Sequence, residues 1–439
     1  MKDHRFLDSL ASLDPVERWG RLTRVMPTWL EADGPNVPLG SLCEIGEVGG
    51  DRRSLVAEVV RIDSTGIALA PFGEPASLTA GLRVRALSRD ASAPVGDGFL
   101  GRAIDAVGRP IDGGIPIAHS RRAPLHAELP EPLERTSPRT ALPSGIRAID
   151  GLLTMGLGQR LGIFAAAGVG KTSLIAQLAR QMKADRTVLC LVGERGREVE
   201  QFWNVELDEQ ARSRTALVAA TSDKAAALRV RAVYQALALA CDWRAQGRDV
   251  LLIVDSATRL AMAMRETGLA AGAPPTVRAY PPNVFAAIPR IVEQCGALRA
   301  GGSITALFTV LSETDDVDDP ISEMMKSVLD GHIILSRSLA ERGHFPAIDV
   351  PRSVSRNSDR LISSDHLAKA RAIRAMLADH EASRTLIESG LYKAGASASL
   401  DAVIAAKPAI DQFLIQPHDE AVSFAAAVAA LSALPAGAA

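Results

Sequence analysis

Cysteine is scarce in this chain of 439 residues. Cys43, Cys190, Cys241 and Cys295 stand far apart, and no C-x-x-C pair occurs. That spacing excludes a disulfide scaffold and a zinc ribbon, and it suits a reducing cytoplasm. Net charge is lacking too, with 51 acidic against 49 basic side chains. A chain this close to neutrality does not hold nucleic acid by bulk charge, although a local basic groove stays open. The first residues, MKDHRFLDSLASLDPVERW, contain no apolar core long enough for a signal peptide. Residues 421–439 carry no charge and approach membrane-spanning length, but Ala is weakly apolar, and Pro435 and Gly437 interrupt the run. Phe424, Val428 and Leu431 recur at i, i+4 and i+7, the stripe of a packed helix.

What is present is a 47% apolar composition, enough over this length for a large core and two or three domains. Residues 1–25 read as an N-terminal arm with a helix, its stripe Phe6, Leu10 and Leu13 set between Asp8, Asp14 and Glu17. Residues 26–92 hold short apolar runs (LCEIGEV, SLVAEVVRID, GIALAPFG, LRVRAL) broken by turn residues, which suggests a small β-barrel or sandwich. Residues 93–365 begin with a Gly-rich connector. They then alternate strand-like runs (RLGIFAA, TVLCLV, VLLIVD, ITALFTV, GHIILS) with amphipathic helices. That alternation predicts an α/β domain with a mainly parallel sheet and helices on both faces. Residues 366–439 carry helical periodicity and read as a helical C-terminal domain.

The most informative segment is RLGIFAAAGVGKTSLIAQLAR. An apolar strand runs into Ala165, Ala166, Ala167, Gly168, Val169, Gly170, Lys171, Thr172 and Ser173, then into a helix. The phosphate-loop pattern G-x-x-x-x-G-K-[ST] holds except that Ala165 stands at the first glycine. Gly168 and Gly170 permit the backbone angles that turn successive N–H groups toward an anion, and the helix N-terminus adds positive potential. Lys171 would reach the β- and γ-phosphates, and Thr172 would hold Mg²⁺.

Hydrolysis needs more than a phosphate loop. Asp255 closes the run VLLIVD, where a carboxylate organising the magnesium shell is expected; it could equally cap the next helix beside Ser256 and Thr258. Glu194 follows the run TVLCLV, with Arg195, Arg197 and Glu198 in the next turn. A carboxylate at such a strand end can polarise water toward a γ-phosphate. Spacing alone leaves it equally a solvated helix start. Arg356, in SVSR beyond the last strand candidates, offers a guanidinium suited to transition-state charge, but one arginine among 41 is not singled out by its surroundings. The acidic loop TDDVDDP lacks EF-hand spacing and reads as a solvated connection. His332 and His344 stand without a partner at metal spacing, so no metal other than Mg²⁺ is expected.

Taken together, GFLGRAIDAVGRPIDG, SGIRAIDGLLTMGLGQRLGIFAAAGVGKT, VGERGREV, LLIVDSATR, AYPPNVFAAIPRIVE, DDPISEMMKSVLDGHIILSR and GHFPAIDVPRSVSR resemble the ATPases of type III protein export. Those proteins are similar in turn to the catalytic subunits of rotary ATP synthases. The resemblance spans roughly residues 40–415. It implies a RecA-like phosphate-loop domain with an N-terminal β-barrel and a C-terminal helical domain. It implies an ATPase that uses ATP and Mg²⁺ to energise flagellar or injectisome export as a homohexamer. It assigns Glu194 as the catalytic glutamate and Arg195 as its neighbour at the γ-phosphate. Lys171, Thr172 and Asp255 fall at the phosphate and magnesium positions, with Glu198 as a further water-mediated magnesium ligand. Arg356 becomes the finger serving the neighbouring subunit, and Phe345 the aromatic packed on adenine. It further implies a stator-like regulator on the N-terminal arm, a central stalk, chaperone–substrate complexes, and an export gate at the cytoplasmic face of the inner membrane.

Two relatives compete. A rotary synthase needs catalytic and non-catalytic chains, whereas loop, glutamate and finger occur together here, and the tail LIESGLYKAGASASLDAVIAAKPAIDQFLIQ replaces an acidic DELSEED-type segment. A hexameric RNA translocase needs exposed aromatics and basic residues near its N-terminus. Residues 26–90 contain one Trp, one Phe and no Lys, so no nucleic-acid partner is expected.

Overall fold

The computed structural model describes residues 17–46, 54–87, 90–118, 121–311 and 319–435. The stripe Phe6, Leu10, Leu13 and most of the loop TDDVDDP lie outside the described residues.

Six strands, Trp19–Val25 (β1), Leu30–Ala32 (β2), Leu42–Gly46 (β3), Leu55–Asp63 (β4), Gly66–Pro71 (β5) and Arg83–Ala86 (β6), form a closed barrel in the order β1-β2-β5-β4-β3-β6. Closure decides between the two all-β readings in favour of the barrel. It also corrects the N-terminal boundary: residues 19–25, expected in the arm, are the first barrel strand and pair with both β2 and β6. The strand alternates, with Gly20 and Leu22 inward and Trp19 and Arg21 outward. Its inward side is nearly devoid of side chain because a Cβ on Gly20 would lie 2.4 Å from the Gly34 backbone. A strand whose buried face is Gly and one Leu gives little periodic signal.

Beyond the barrel, Ser92–Val95 (β7) pairs with Arg121–Pro124 (β9), while Ala103–Ile104 (β8) joins the edge of the main sheet. That sheet has ten strands. They are β8, Arg135–Thr136 (β10), Arg160–Ala165 (β11), Arg186–Val192 (β12), Thr215–Ala220 (β13), Asp249–Asp255 (β14), Gly296–Leu298 (β15), Ser303–Leu311 (β16), Gly331–Ile334 (β17) and Val354–Ser355 (β18). The main path runs β18-β17-β11-β16-β14-β12-β13-β8, and the pairs from β17 through β8 are parallel. All five predicted strand runs of this region are strands.

Continuous apolar runs follow from burial on both faces. Leu161 and Ile163 of β11 enter one core and Phe164 the other; Leu251 and Ile253 of β14 are likewise separated from Val250, Leu252 and Val254. The first core contains the helix Lys171–Gln181 and the C-terminal helices Ser364–Glu388, Ala398–Leu414 and Phe424–Ala433, through Ile373, Val403, Phe413 and Leu431. The second is covered by Ala226–Ala245 and Ala257–Ala270. The helical C-terminal region therefore packs on the face that carries the phosphate loop. Among the described residues no helix is long and apolar enough to cross a membrane.

The barrel is fixed to the α/β domain by a buried arginine. Arg231, on the helix Ala226–Ala245, donates to Gly40 O (3.1 Å), Ser92 O (3.3 Å) and Glu58 Oε2 (3.0 Å).

Candidate active site

β11 delivers the chain to the loop Ala166–Gly170. Gly168 and Gly170 adopt φ of +80° and +91°, left-handed conformations that side-chain-bearing residues rarely take. The helix Lys171–Gln181 starts there with no side-chain cap, so its first N–H groups face the loop. Thr172 and Ser173 are exposed in this first turn. Ala165, at the position of the missing first glycine, ends the strand and is 2% exposed; its methyl packs in the core instead of the loop.

Strand order brings the acids to the lysine. β14 and β12 end beside the loop, carrying Asp255 and Glu194, both buried. Lys171 Nζ donates to Asp255 Oδ1 and, at 3.4 Å, to Glu194 Oε1. Thr309, on the intervening β16, donates its hydroxyl to Asp255 at 2.6 Å. The adjacent helix is capped by Ser256, whose Oγ accepts from Arg259 N at 3.3 Å, so Asp255 is not spent as a cap.

Arg259 was not foreseen. Its guanidinium lies 2.6 Å from Glu194 Oε2 and donates to Gly193 O. Burial pushes the Glu194 carboxyl above the ordinary carboxylate range. A hydrogen bond with Glu198 adds to that, while Lys171 and Arg259 pull the other way. The result is a sheltered carboxylate with raised basicity, held between two cations. The signal in the sequence was DSATR: one helical turn carries Arg259 back from Asp255 to the neighbouring strand end.

Arg195 and Glu198 stand at the rim. Arg195 precedes the short helix Gly196–Gln201, its side chain is exposed, and its Nε lies 3.8 Å from Glu198 Oε1. Arg356 is not brought to this cluster. It follows β18, donates from its guanidinium to Lys326 O at 3.1 Å, and is exposed.

Phe345 borders a cavity of about 470 Å³ beside the loop, and a Cβ on Gly170 would touch its ring at 3.3 Å. Ser173, Leu174 and Gln177 form one wall, Phe345 to Ala347 another, and Gln416 to His418 a third. The last wall was not anticipated, because it comes from a segment between the final two helices.

The donor set is that of an incomplete cation site. Thr172 and Asp255 offer hard oxygens, and among the described residues no group of three or more His, Cys, Asp and Glu side chains could hold a metal alone. Such a set fits Mg²⁺ completed by phosphate oxygens and water.

Residues 145–355 match the ATP synthase alpha/beta family, nucleotide-binding domain. Residues 362–433 match the C-terminal domain of the type III secretion ATPase EscN. The chain is 41% identical to the flagellum-specific ATP synthase of Bacillus subtilis over 99% of both chains. It is 43% identical to the type 3 secretion system ATPase of Xanthomonas euvesicatoria, covering 94% of this chain and 92% of that protein. The chain belongs to the family of type III secretion and flagellar export ATPases. The C-terminal match separates it from the rotary synthase reading. Among solved structures, assembled EscN of enteropathogenic Escherichia coli superposes with a TM-score of 0.87 at 38% identity, covering 94% of this chain and 98% of that one. A complex of the same ATPase with its central stalk EscO gives 0.85. An export ATPase thus carries its expected fold: barrel, α/β nucleotide domain and C-terminal helices.

Proposed function

We propose that this protein hydrolyses Mg-ATP in a homohexameric ring and uses the energy for protein export. The observation that carries the reading is the cluster Lys171, Glu194, Asp255 and Arg259 at the C-terminal ends of β11, β12 and β14, beside a loop with two left-handed glycines. The N–H groups from Ala166 to Ser173 cradle the phosphates, and Lys171 leaves its carboxylate partners for the γ-phosphate. Thr172, Asp255 and Glu198 are the residues that would hold Mg²⁺, the two acids through water, and the ion would supply charge neutralisation at the phosphates. Glu194 accepts the proton of a water whose oxygen bonds the γ-phosphorus as the bond to the β-phosphate oxygen breaks. ADP and phosphate are the products. Arg195 stands at the γ-phosphate rim, Phe345 packs on adenine, and Arg356 reaches the nucleotide of the neighbouring subunit.

A ring with a central stalk is supported by the relative solved as an assembled ATPase and in complex with its central stalk. A stator-like regulator on the N-terminal arm that precedes the barrel, chaperone–substrate complexes and a gate at the cytoplasmic face of the inner membrane complete the reading. The test is phosphate release from Mg-ATP with native mass measurement of the assembly. Phosphate release from a six-fold ring supports the reading; a stable monomer with full turnover overturns the ring.

A further inference from the structure

The helix that starts at the phosphate loop continues its contact face along the cavity beside it. Gly170, Ser173, Leu174 and Gln177 recur at i, i+3, i+4 and i+7, and all four line the cavity. The next positions on this stripe are Arg180 and Gln181. Arg180 lies about 14 Å beyond Lys171 at ~1.5 Å per residue, outside the lining itself but bonded to two of the residues that form it.

There its guanidinium donates in two directions, to Glu206 O at 2.6 Å and to His418 O at 2.9 Å. Glu206 and His418 both line the cavity but come from unrelated parts of the chain. Glu206 ends the helical turn Phe202–Glu206, and His418 belongs to the segment between the last two helices. The Glu206 carboxylate stands 3.5 Å from the same guanidinium. Neighbouring bonds secure the second wall: Gln177 and Gln181 both donate to Glu420 O (3.3 and 2.9 Å), and Gln416 N donates to Phe345 O at 2.9 Å.

We propose that Arg180 is a positioning residue for the nucleobase. Its rigid fork joins the Glu206 and His418 walls and holds the width of the slot in which Phe345 meets a planar base. A guanidinium spans two carbonyls at fixed separation; an ammonium does not hold that geometry. The inference rests on the reading that this cavity takes the base of ATP. Because Arg180 is remote from Lys171 and Glu194, it governs retention of the nucleoside and not cleavage of the phosphate bond.

The experiment compares ATP with inorganic tripolyphosphate, which has phosphates but no base, on the full-length protein. Arg180→Ala is expected to raise KM for ATP about tenfold, the loss of roughly one good charge-assisted contact set, while kcat falls less than about twofold. The inhibition constant of Mg-tripolyphosphate should not move. Arg180→Lys should give an intermediate KM, and it carries the test if the alanine variant does not fold. Equal losses for ATP and tripolyphosphate, or an unchanged KM for ATP, overturn the proposal. Phe345→Ala separates this from its premise. If that variant leaves KM for ATP unchanged, the base is not in this cavity. If it raises KM while Arg180→Ala and Arg180→Lys do not, the cavity takes the base and Arg180 does not position it.

Discussion

Glu194, just past β12, and Arg259, in the first turn of the helix after β14, form an ion pair of 2.6 Å, and Lys171 holds the other oxygen of the same carboxylate. The pair opposes the rise that burial imposes on this carboxyl and holds it beside the phosphate-loop lysine. Removing the negative charge while keeping the shape isolates its chemistry. Glu194→Gln should bind ATP with near-normal affinity and lose about 10²–10⁴-fold in turnover, the usual contribution of a general base. Lys171→Ala should lose binding as well. Phosphate release beside nucleotide affinity separates the two, and a Glu194→Gln enzyme turning over at the normal rate removes that residue from the mechanism.

The Arg259 charge is expected to lower the pH at which Glu194 can accept a proton. Burial raises the carboxyl, and Arg259 is one of the two cations that lower it. Proton acceptance needs the ionised form, so activity rises with pH through this titration. In Arg259→Ala the group must titrate higher, and the acid limb of the kcat profile should move up by about one pH unit. An unmoved limb means that the Arg259 charge does not act on the essential acid.

Arg231 ties the barrel to the α/β domain and is itself 3% exposed. Its partner Glu58 has a carboxyl raised by burial and held down by Arg231. Arg231→Ala strands that acid without a cation, which should cost roughly 3–5 kcal/mol. Adding Glu58→Gln should restore part of the loss. Unfolding midpoints of the single and double variants measure this, and a double variant no more stable than the single one shows that the lost carbonyl contacts dominate.

Most of the architecture could be read locally. Each main-sheet strand that was expected is a compact run of Val, Ile and Leu, and the loop is defined by residues within one segment. What escaped notice depends on contacts distant in sequence. Thr215–Ala220 is half Ala, with Leu217 and Val218 as its only large apolar side chains, so its burial between β12 and β8 leaves a weak strand signal. Thr309 reaches Asp255 because β16 lies beside β14, and Arg259 reaches Glu194 because β14 lies beside β12, an order that no local pattern states. Gln416 to His418 wall the cavity because the last helices fold back on the loop face.

Arg356 sits at the wrong end of its own sheet to serve its own site. Its backbone N–H donates to Asp330 O, and the Asp330 carboxylate takes Arg160 through N, Nε and a terminal nitrogen, each at 3.0 Å. Arg160 opens β11, whereas the phosphate loop follows Ala165 at its other end, about 17 Å away at ~3.3 Å per residue. An extended arginine side chain does not cover that span and reach a γ-phosphate. If Arg356 acts on ATP, it acts on the ATP of another copy. Arg356→Ala should therefore bind nucleotide as well as the unaltered chain and lose about 10³–10⁵-fold in turnover, the usual worth of a finger supplied in trans. Specific activity of the unaltered chain should rise more than linearly with concentration, because the competent fraction grows by association. The stronger test mixes two inactive chains. Rings of Arg356→Ala and Lys171→Ala subunits contain interfaces where an intact Lys171 faces an intact Arg356, so part of the ATPase should return. Mixed rings confirmed by native mass measurement but still inactive would show that Arg356 is not the finger.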